Sequence, residues 1–146
     1  VAGRAGRAAN QGRVLIQTRN PEHPALRFAQ QHDVPSFLEQ DYRLRQEVNY
    51  PPFCQMALIR FDGLEERVVA HEAARLARLI ETSDAEVEVL GPAPAPLLRL
   101  RNRFRHRFIV RATQRQDLRK ALLAIARAPQ NRKVRVGIDV DPQSML

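Results

Sequence analysis

The sequence predicts an α+β fold: a four-stranded antiparallel sheet with two helices on one face, occupying residues 51–146. Three observations predict it. Four short runs rich in β-branched and apolar residues, at 55–61, 86–90, 103–112 and 133–141, read as strands. Two longer runs, 64–81 and 114–128, repeat apolar residues at near-helical spacing. Their order is β-α-β-β-α-β, the split βαβ arrangement of ferredoxin-like domains.

The elements follow in chain order. In the opening Val-Ala-Gly-Arg-Ala-Gly-Arg, Arg4 and Arg7 share a face on a helix. Such a pair can grip a triphosphate, although spacing alone is equally met by a solvated basic helix end. Arg13–Thr18 reads as a short buried strand. Pro24 suits the first turn of a helix reaching about Gln31. His23 has no ligand partner near it in sequence and suits a cap or turn better than a metal site. Pro35 opens a second, amphipathic helix, Ser36 to Val48, a connector with one face docked. Tyr50-Pro51-Pro52-Phe53 stops it, because a residue before proline avoids the α region. The expected division is therefore 1–33, a connector at 34–50, and 51–146.

From Cys54 a new unit begins. Gln55–Phe61 is a strand and Asp62-Gly63 a turn. In 64–81, Val68, Val69, Ala73, Leu76, Ala77 and Ile80 form the inward face of a helix. Glu86–Leu90 is a second strand. Prolines at 92, 94 and 96 then make an extended connector or edge, since proline has no N–H to give a central strand. Arg103–Ala112 is the third strand and Gln114–Ala128 the second helix, ended by Pro129. The last strand, Lys133–Asp141, places Val134, Val136, Ile138 and Val140 on one side.

Charge is unevenly placed. The net charge of the 146 residues is +8, yet residues 51–90 are acidic, and from residue 91 on eleven Arg and two Lys face three acids. Arginine recurs at 99, 101, 103, 105 and 107. On one extended backbone all five would lie on one side, with Leu100, Phe104 and Phe108 on the other. Five like charges in a row repel without a partner, which points to nucleic-acid phosphate; a solubilising edge strand is the plainer alternative. Arg115 and Arg119 share a face four residues apart near the N-terminus of the second helix, an unfavourable place for cations unless an anion joins them.

Catalytic patterns are sparse. The chain has one cysteine, hence no internal disulfide and no cysteine zinc cluster of its own. It holds no Gly-rich phosphate loop with Lys-Ser/Thr. Asp139 and Asp141 share a strand face and could hold Mg²⁺, but acids before Pro142 more often end an edge. No run of apolar residues is long enough to span a membrane.

Several stretches taken together are specific: residues 1–7, Gln-Thr-Arg-Asn-Pro-Glu-His-Pro at 17–24, Tyr-Pro-Pro-Phe at 50–53, Gly-Pro-Ala-Pro-Ala-Pro from 91, Arg-Phe-Arg-His-Arg from 103, and Ile-Asp-Val-Asp-Pro-Gln-Ser at 138–144. In this order they resemble the C-terminal portion of the PriA family of bacterial replication-restart DNA helicases, also called primosomal protein N′. The resemblance implies that residues 1–33 are the tail of a RecA-like second helicase lobe, beginning inside motif VI. Arg4 and Arg7 would then be that motif's arginines, reaching the nucleotide phosphates as arginine fingers. Residues 51–146 would be a ribosomal-protein-like C-terminal domain that binds DNA.

The parent so implied is an ATP-dependent 3′→5′ helicase using ATP, Mg²⁺ and zinc, with no zinc ligands in this chain. It acts in the bacterial cytoplasm at the nucleoid. Its partners would be forked and single-stranded DNA, single-stranded-DNA-binding protein and other primosome proteins. The fragment alone would be inactive as an enzyme. Arg99, Arg101, Arg103, Arg105 and Arg107 would meet DNA; Arg115 and Arg119 would meet the acidic tail of single-stranded-DNA-binding protein, or else form a solvated basic face partly offset by Asp117. The family's base-contacting aromatics are not assigned to residues of this chain, because Phe104 and Phe108 are committed to the core. A stand-alone RNA-binding domain of ribosomal type and a protein-binding scaffold are the other classes open to the 51–146 pattern.

Overall fold

The computed structural model describes residues 14–144; Arg4, Arg7 and Arg13 lie outside the described residues. The chain divides between Leu44 and Arg45 into two compact units.

In the first unit, α1 (Pro24–Gln30) starts on a proline, whose missing N–H is unused in a first turn. His23 caps it, its Nδ1 accepting the Ala25 N–H at 3.2 Å. The Asp33 carboxylate accepts the Ser36 N–H at 3.1 Å in the first turn of α2 (Val34–Glu47). Hydrogen bonds from the Ser36 side chain and backbone hold the Asp33 carboxyl below its ordinary value. Phe28 and Phe37 stack at an angle, their ring centres 6.0 Å apart. The strand expected at 13–18 is not formed over residues 14–18, and Leu15 is 94% exposed. An apolar run becomes a strand only where neighbours satisfy its backbone, and none of the described strands pairs with this run.

The second unit opens in the last turn of α2. The Arg45 guanidinium lies 5.4 Å from the centre of the Tyr50 ring and donates to the Pro51 carbonyl at 3.2 Å. Then come β1 (Gln55–Gly63), α3 (Glu66–Glu81), β2 (Glu88–Leu100), β3 (Arg103–Ala112), α4 (Arg115–Arg127) and β4 (Val134–Val140). The strands form one antiparallel sheet in the order β2-β3-β1-β4. This is the predicted split βαβ arrangement, and one face carries both helices.

Alternation sorts the strands. Ala57, Ile59 and Phe61 of β1, and Phe108, Val110 and Ala112 of β3, are buried against Val69, Ala73, Leu76 and Ile80 of α3 and Leu118, Ala121 and Ile125 of α4. The Phe61 and Phe108 rings meet with centres 5.4 Å apart. Each side chain of this size, fully buried, contributes about 1.5–3 kcal/mol. Cys54 is buried, and burial pushes its thiol up, so it fills space rather than reacting.

Three boundaries differ from the sequence reading. Asp62 and Gly63 end β1 instead of turning, because both have partners on β3 and β4. The proline stretch is not a separate connector but the outer half of β2. An edge strand has one unpaired side, where a missing N–H is harmless, and the pairing with β3 shifts register between Leu90 and Ala93 and again between Pro94 and Arg99. Gly91 starts the first shift at φ 112°, a conformation that suits glycine. Finally, Arg101 and Asn102 form a two-residue hairpin with φ 49° and 62°, the pair of positive values a tight hairpin turn needs. The chain therefore reverses inside the predicted arginine stripe.

One buried polar group fastens the layers. Glu72 on α3 is 3% exposed. Arg75 donates to it twice, at 2.9 and 2.8 Å, and the Asn131 N–H donates at 3.2 Å. Arg75 also donates to the Pro129 carbonyl at 2.6 Å. Together these bonds tie α3 to the turn between α4 and β4. The Arg75 hydrogen bonds hold the Glu72 carboxyl below its ordinary value, against the opposing effect of burial.

A depressed carboxylate stabilises the fold above its unfolded pKa and loses that contribution as pH falls through the folded one. Glu72→Gln should therefore cost about 1–3 kcal/mol at neutral pH. The gap between the thermal unfolding curves of variant and parent should close as pH is lowered from 6 to 3. A gap independent of pH would show that the carboxylate charge is not what holds the turn.

Candidate nucleic-acid interface

The sheet's second face is the one turned away from α3 and α4; Met56 and Leu58 of β1 are buried on it, and β3 sets the character of the rest. With Phe104, His106 and Phe108 turned toward the helices, Arg103, Arg105, Arg107 and Arg111 face the other way. Partners directly opposite in an antiparallel pair share a face. The register thus sets Arg105 beside Asp62 and Asp62 beside Arg135, a row across β3, β1 and β4. The next row is Arg107, Arg60 and Gly137. A side chain at Gly137 would meet nothing within 4 Å, so this row is open above β4.

Some of these arginines are committed to the fold. Arg111 donates to Glu88 at 3.0 and 2.6 Å and to the carbonyls of Val48 and Asn49 at 3.0 and 3.3 Å. Arg60 pairs with Asp139 at 3.0 Å. Arg103 bonds the Asp62 carboxylate and, at 3.1 Å, the Asp62 carbonyl. Asp62 is therefore the one carboxylate flanked by Arg103, Arg105 and Arg135, and it is taken by the first. Arg105 and Arg135 have no ion pair among the described residues, and the Arg107 Nη1 is buried without a hydrogen-bond partner.

The five arginines predicted as one stripe are consequently split. Arg103, Arg105 and Arg107 share the open face. Arg101 sits in the hairpin turn. Arg99 pairs with Phe104, on the helix side of the sheet, its guanidinium 5.3 Å from that ring's centre, and donates to Asn102. Leu100, expected inward, instead pairs with Arg103 and is 46% exposed. The hairpin reverses the chain at 101–102, so alternation holds only within each arm. The sequence reading also missed Arg60, Arg111 and Arg135. The signal was available: each lies an even number of residues from a charged neighbour on its own strand, opposite the apolar positions used to define the core.

Arg115 and Arg119 lie in α4 beside a groove of about 590 Å³ whose apolar wall includes Leu122, Leu123, Ile138 and Val140. Ile138 and Val140 are exposed there at the sheet edge. Asp139 is spent on Arg60, and Asp141 leaves the strand at φ 51°. Among the described residues no group of three His, Cys, Asp or Glu side chains could hold a metal ion. No described helix is long and apolar enough to cross a membrane.

Residues 46–143 match the family described as "Primosomal protein N C-terminal domain". The whole chain is similar to proteins named replication restart protein PriA. It is 37% identical to the one from Synechocystis sp., covering 99% of this chain and 17% of that protein. It is 30% identical to that of Bacillus subtilis over 100% of this chain and 19% of the relative. For Treponema pallidum the identity is 36%, over 100% of this chain and 22% of the relative. The chain thus spans about a fifth of the length of these relatives.

Asp62 is the acid that most limits the open face. Asp62→Asn should release Arg103 for a polyanion and, with a single-stranded oligonucleotide as the probe, steepen log K against log[salt] by about 0.7. Fluorescence anisotropy across a salt series measures it. An unchanged slope in a folded variant would mean that Arg103 stays unavailable to anions.

Proposed function

Because the chain belongs to the primosomal protein N C-terminal domain family, we propose that it is the nucleic-acid- and partner-binding end of a bacterial replication-restart helicase. The observation that carries this reading is the open sheet face, where arginines from three strands outnumber the carboxylates beside them. Arginine forks match phosphate oxygens two at a time, and a surplus of like charge is relieved by a polyanion. The resemblance to the family supplies the rest. The parent would unwind DNA 3′→5′ with ATP and Mg²⁺ and act at stalled or branched forks with other primosome proteins in the bacterial cytoplasm. Arg4 and Arg7 would contact the nucleotide phosphates from the second helicase lobe. Zinc in the parent would use ligands other than residues of this chain.

Arg101 and Arg105 have no ion pair among the described residues and lie in the hairpin turn and on β3. Each phosphate contact to single-stranded DNA contributes about 0.7 to the salt slope. Arg101→Ala with Arg105→Ala should therefore flatten log K against log[salt] by about 1.4. It should weaken all sequences alike, since phosphate contacts carry no base information. Forked and single-stranded DNA, each labelled and titrated at several salt concentrations, give the measurement. A folded double variant with the parental slope would remove these residues from the interface.

The α4 groove supports a second contact of the same protein. Two arginines beside an apolar wall fit an acidic peptide with apolar side chains, as in the tail of single-stranded-DNA-binding protein. Charge reversal at Arg115 and Arg119 to Glu should weaken such a peptide by tenfold or more. DNA affinity should fall much less. Unchanged peptide affinity would leave the groove without that partner.

A further inference from the structure

Beyond the open face, basic side chains also gather at the end of the sheet where the hairpin, the β1–α3 turn and the α4–β4 turn meet. A hollow of about 450 Å³ lies there, lined by Arg103, Arg132, Lys133 and Arg135 with Glu65 and apolar side chains including Val134. We propose that this hollow is a second phosphate seat, taking a phosphodiester of the nucleic-acid backbone where the strand leaves the open face. The proposal rests on the reading that the open face binds nucleic acid, and it adds a site on a different part of the chain.

Two features carry it. The first is charge. Of the four cations, Arg103 is taken by Asp62, and Lys133 reaches Glu65 at 3.2 Å across an exposed pair. Arg132 and Arg135 have no ion pair among the described residues. Apolar walls behind them lower the local dielectric and strengthen attraction for an anion. Arg135 belongs at once to this hollow and to the Arg105–Asp62–Arg135 row, so the two basic regions are continuous.

The second is rigidity. The turn that carries Arg132 and Lys133 is held from several directions. The Asn131 side chain accepts the Lys133 N–H at 2.9 Å, its carbonyl accepts the Val134 N–H at 2.9 Å, and its own N–H reaches buried Glu72 at 3.2 Å. The Lys133 carbonyl packs so close to Gly63 that a β-carbon there would lie 3.0 Å from it and 2.7 Å from Val69 Cγ2. Cations fixed before binding lose less entropy when an anion arrives.

The test compares the 146-residue chain with Arg132→Ala/Arg135→Ala and with a control pair of equal charge loss on the helices, Arg78→Ala/Arg127→Ala. Each is titrated against a labelled single-stranded oligonucleotide over a chloride series, with circular dichroism checking the fold. The expected result is a slope lowered by about 1.4 in the first variant and little changed in the control. Arg132→Ala/Lys133→Ala, confined to the exposed turn, replaces the first variant if Arg135→Ala impairs folding. An equal loss in the control, or no loss in the hollow variant, overturns the proposal while leaving the open-face reading intact. So does competition by millimolar inorganic phosphate that follows Arg132 while oligonucleotide affinity does not. A parent chain with no salt-dependent binding overturns both readings.

Discussion

The contact between Phe61 and Phe108 across β1 and β3 is the interaction on which the rest of the second unit depends. It buries two rings at the centre of the sheet and thereby fixes which parity of each strand faces the helices. A slip of one residue would drive Arg105 and Arg107 into the core and expose both rings. Burying unpaired charge costs several kcal/mol per ion, so this register has no near competitor. The arginine face is the other side of the same alternation.

That face is not arranged for stability. Exposed ion pairs are worth about 0–1 kcal/mol, and like charges opposite each other on neighbouring strands are unfavourable. Arg111 and Arg60 obey a structural economy, each meeting a carboxylate, with Arg111 also capping the carbonyls of residues 48 and 49. At the other end of the face, Asp62 is offered to three arginines and can neutralise one. The surplus sits next to a hairpin with Arg101 in its turn and a rigid loop with Arg132 in it. A concentration of uncompensated charge on well-ordered elements is what an anion site requires.

The element order and the helix-facing core were legible because burial imposes periods of two and about 3.6 that any apolar pattern must show. Leu76, Ile80, Phe108, Leu118 and Val134 were all placed correctly on that basis. The hairpin was not legible, since Arg101-Asn102 lacks the glycine that usually marks a positive-φ pair. The prolines concealed the length of β2, because an edge strand tolerates what a central one cannot. The run at 13–18 looked like a strand by composition alone, and composition does not supply the neighbours a strand needs. Of the site, the period-two arginines 103, 105 and 107 could be read. Even spacing put Arg60 and Arg135 on the face opposite the core of their own strands, but that they stand in rows with the β3 arginines is a property of sheet order and is invisible in any one segment.

The open face also lacks something that decides how it can read a ligand. On the sheet, Phe61, Phe104 and Phe108 all turn to the helix side, and their open-face neighbours are arginines, aspartates and aliphatic residues. A sheet without an exposed ring has no platform for stacking bases. Its strand side chains offer arginine forks suited to phosphate and no ring suited to stacking. The apolar α4 groove, by contrast, lies between α4 and the helix-facing side chains Ile138 and Val140 of β4. Arg135 and Ile138 point to opposite sides of the same strand, three residues apart. The groove and the arginine face therefore lie on opposite sides of the sheet. Packing joins the two sides at more than one place, since β4 contributes to both and Leu118, Ala121 and Ile125 of α4 share a core with β1 and β3, the strands that carry the other arginines.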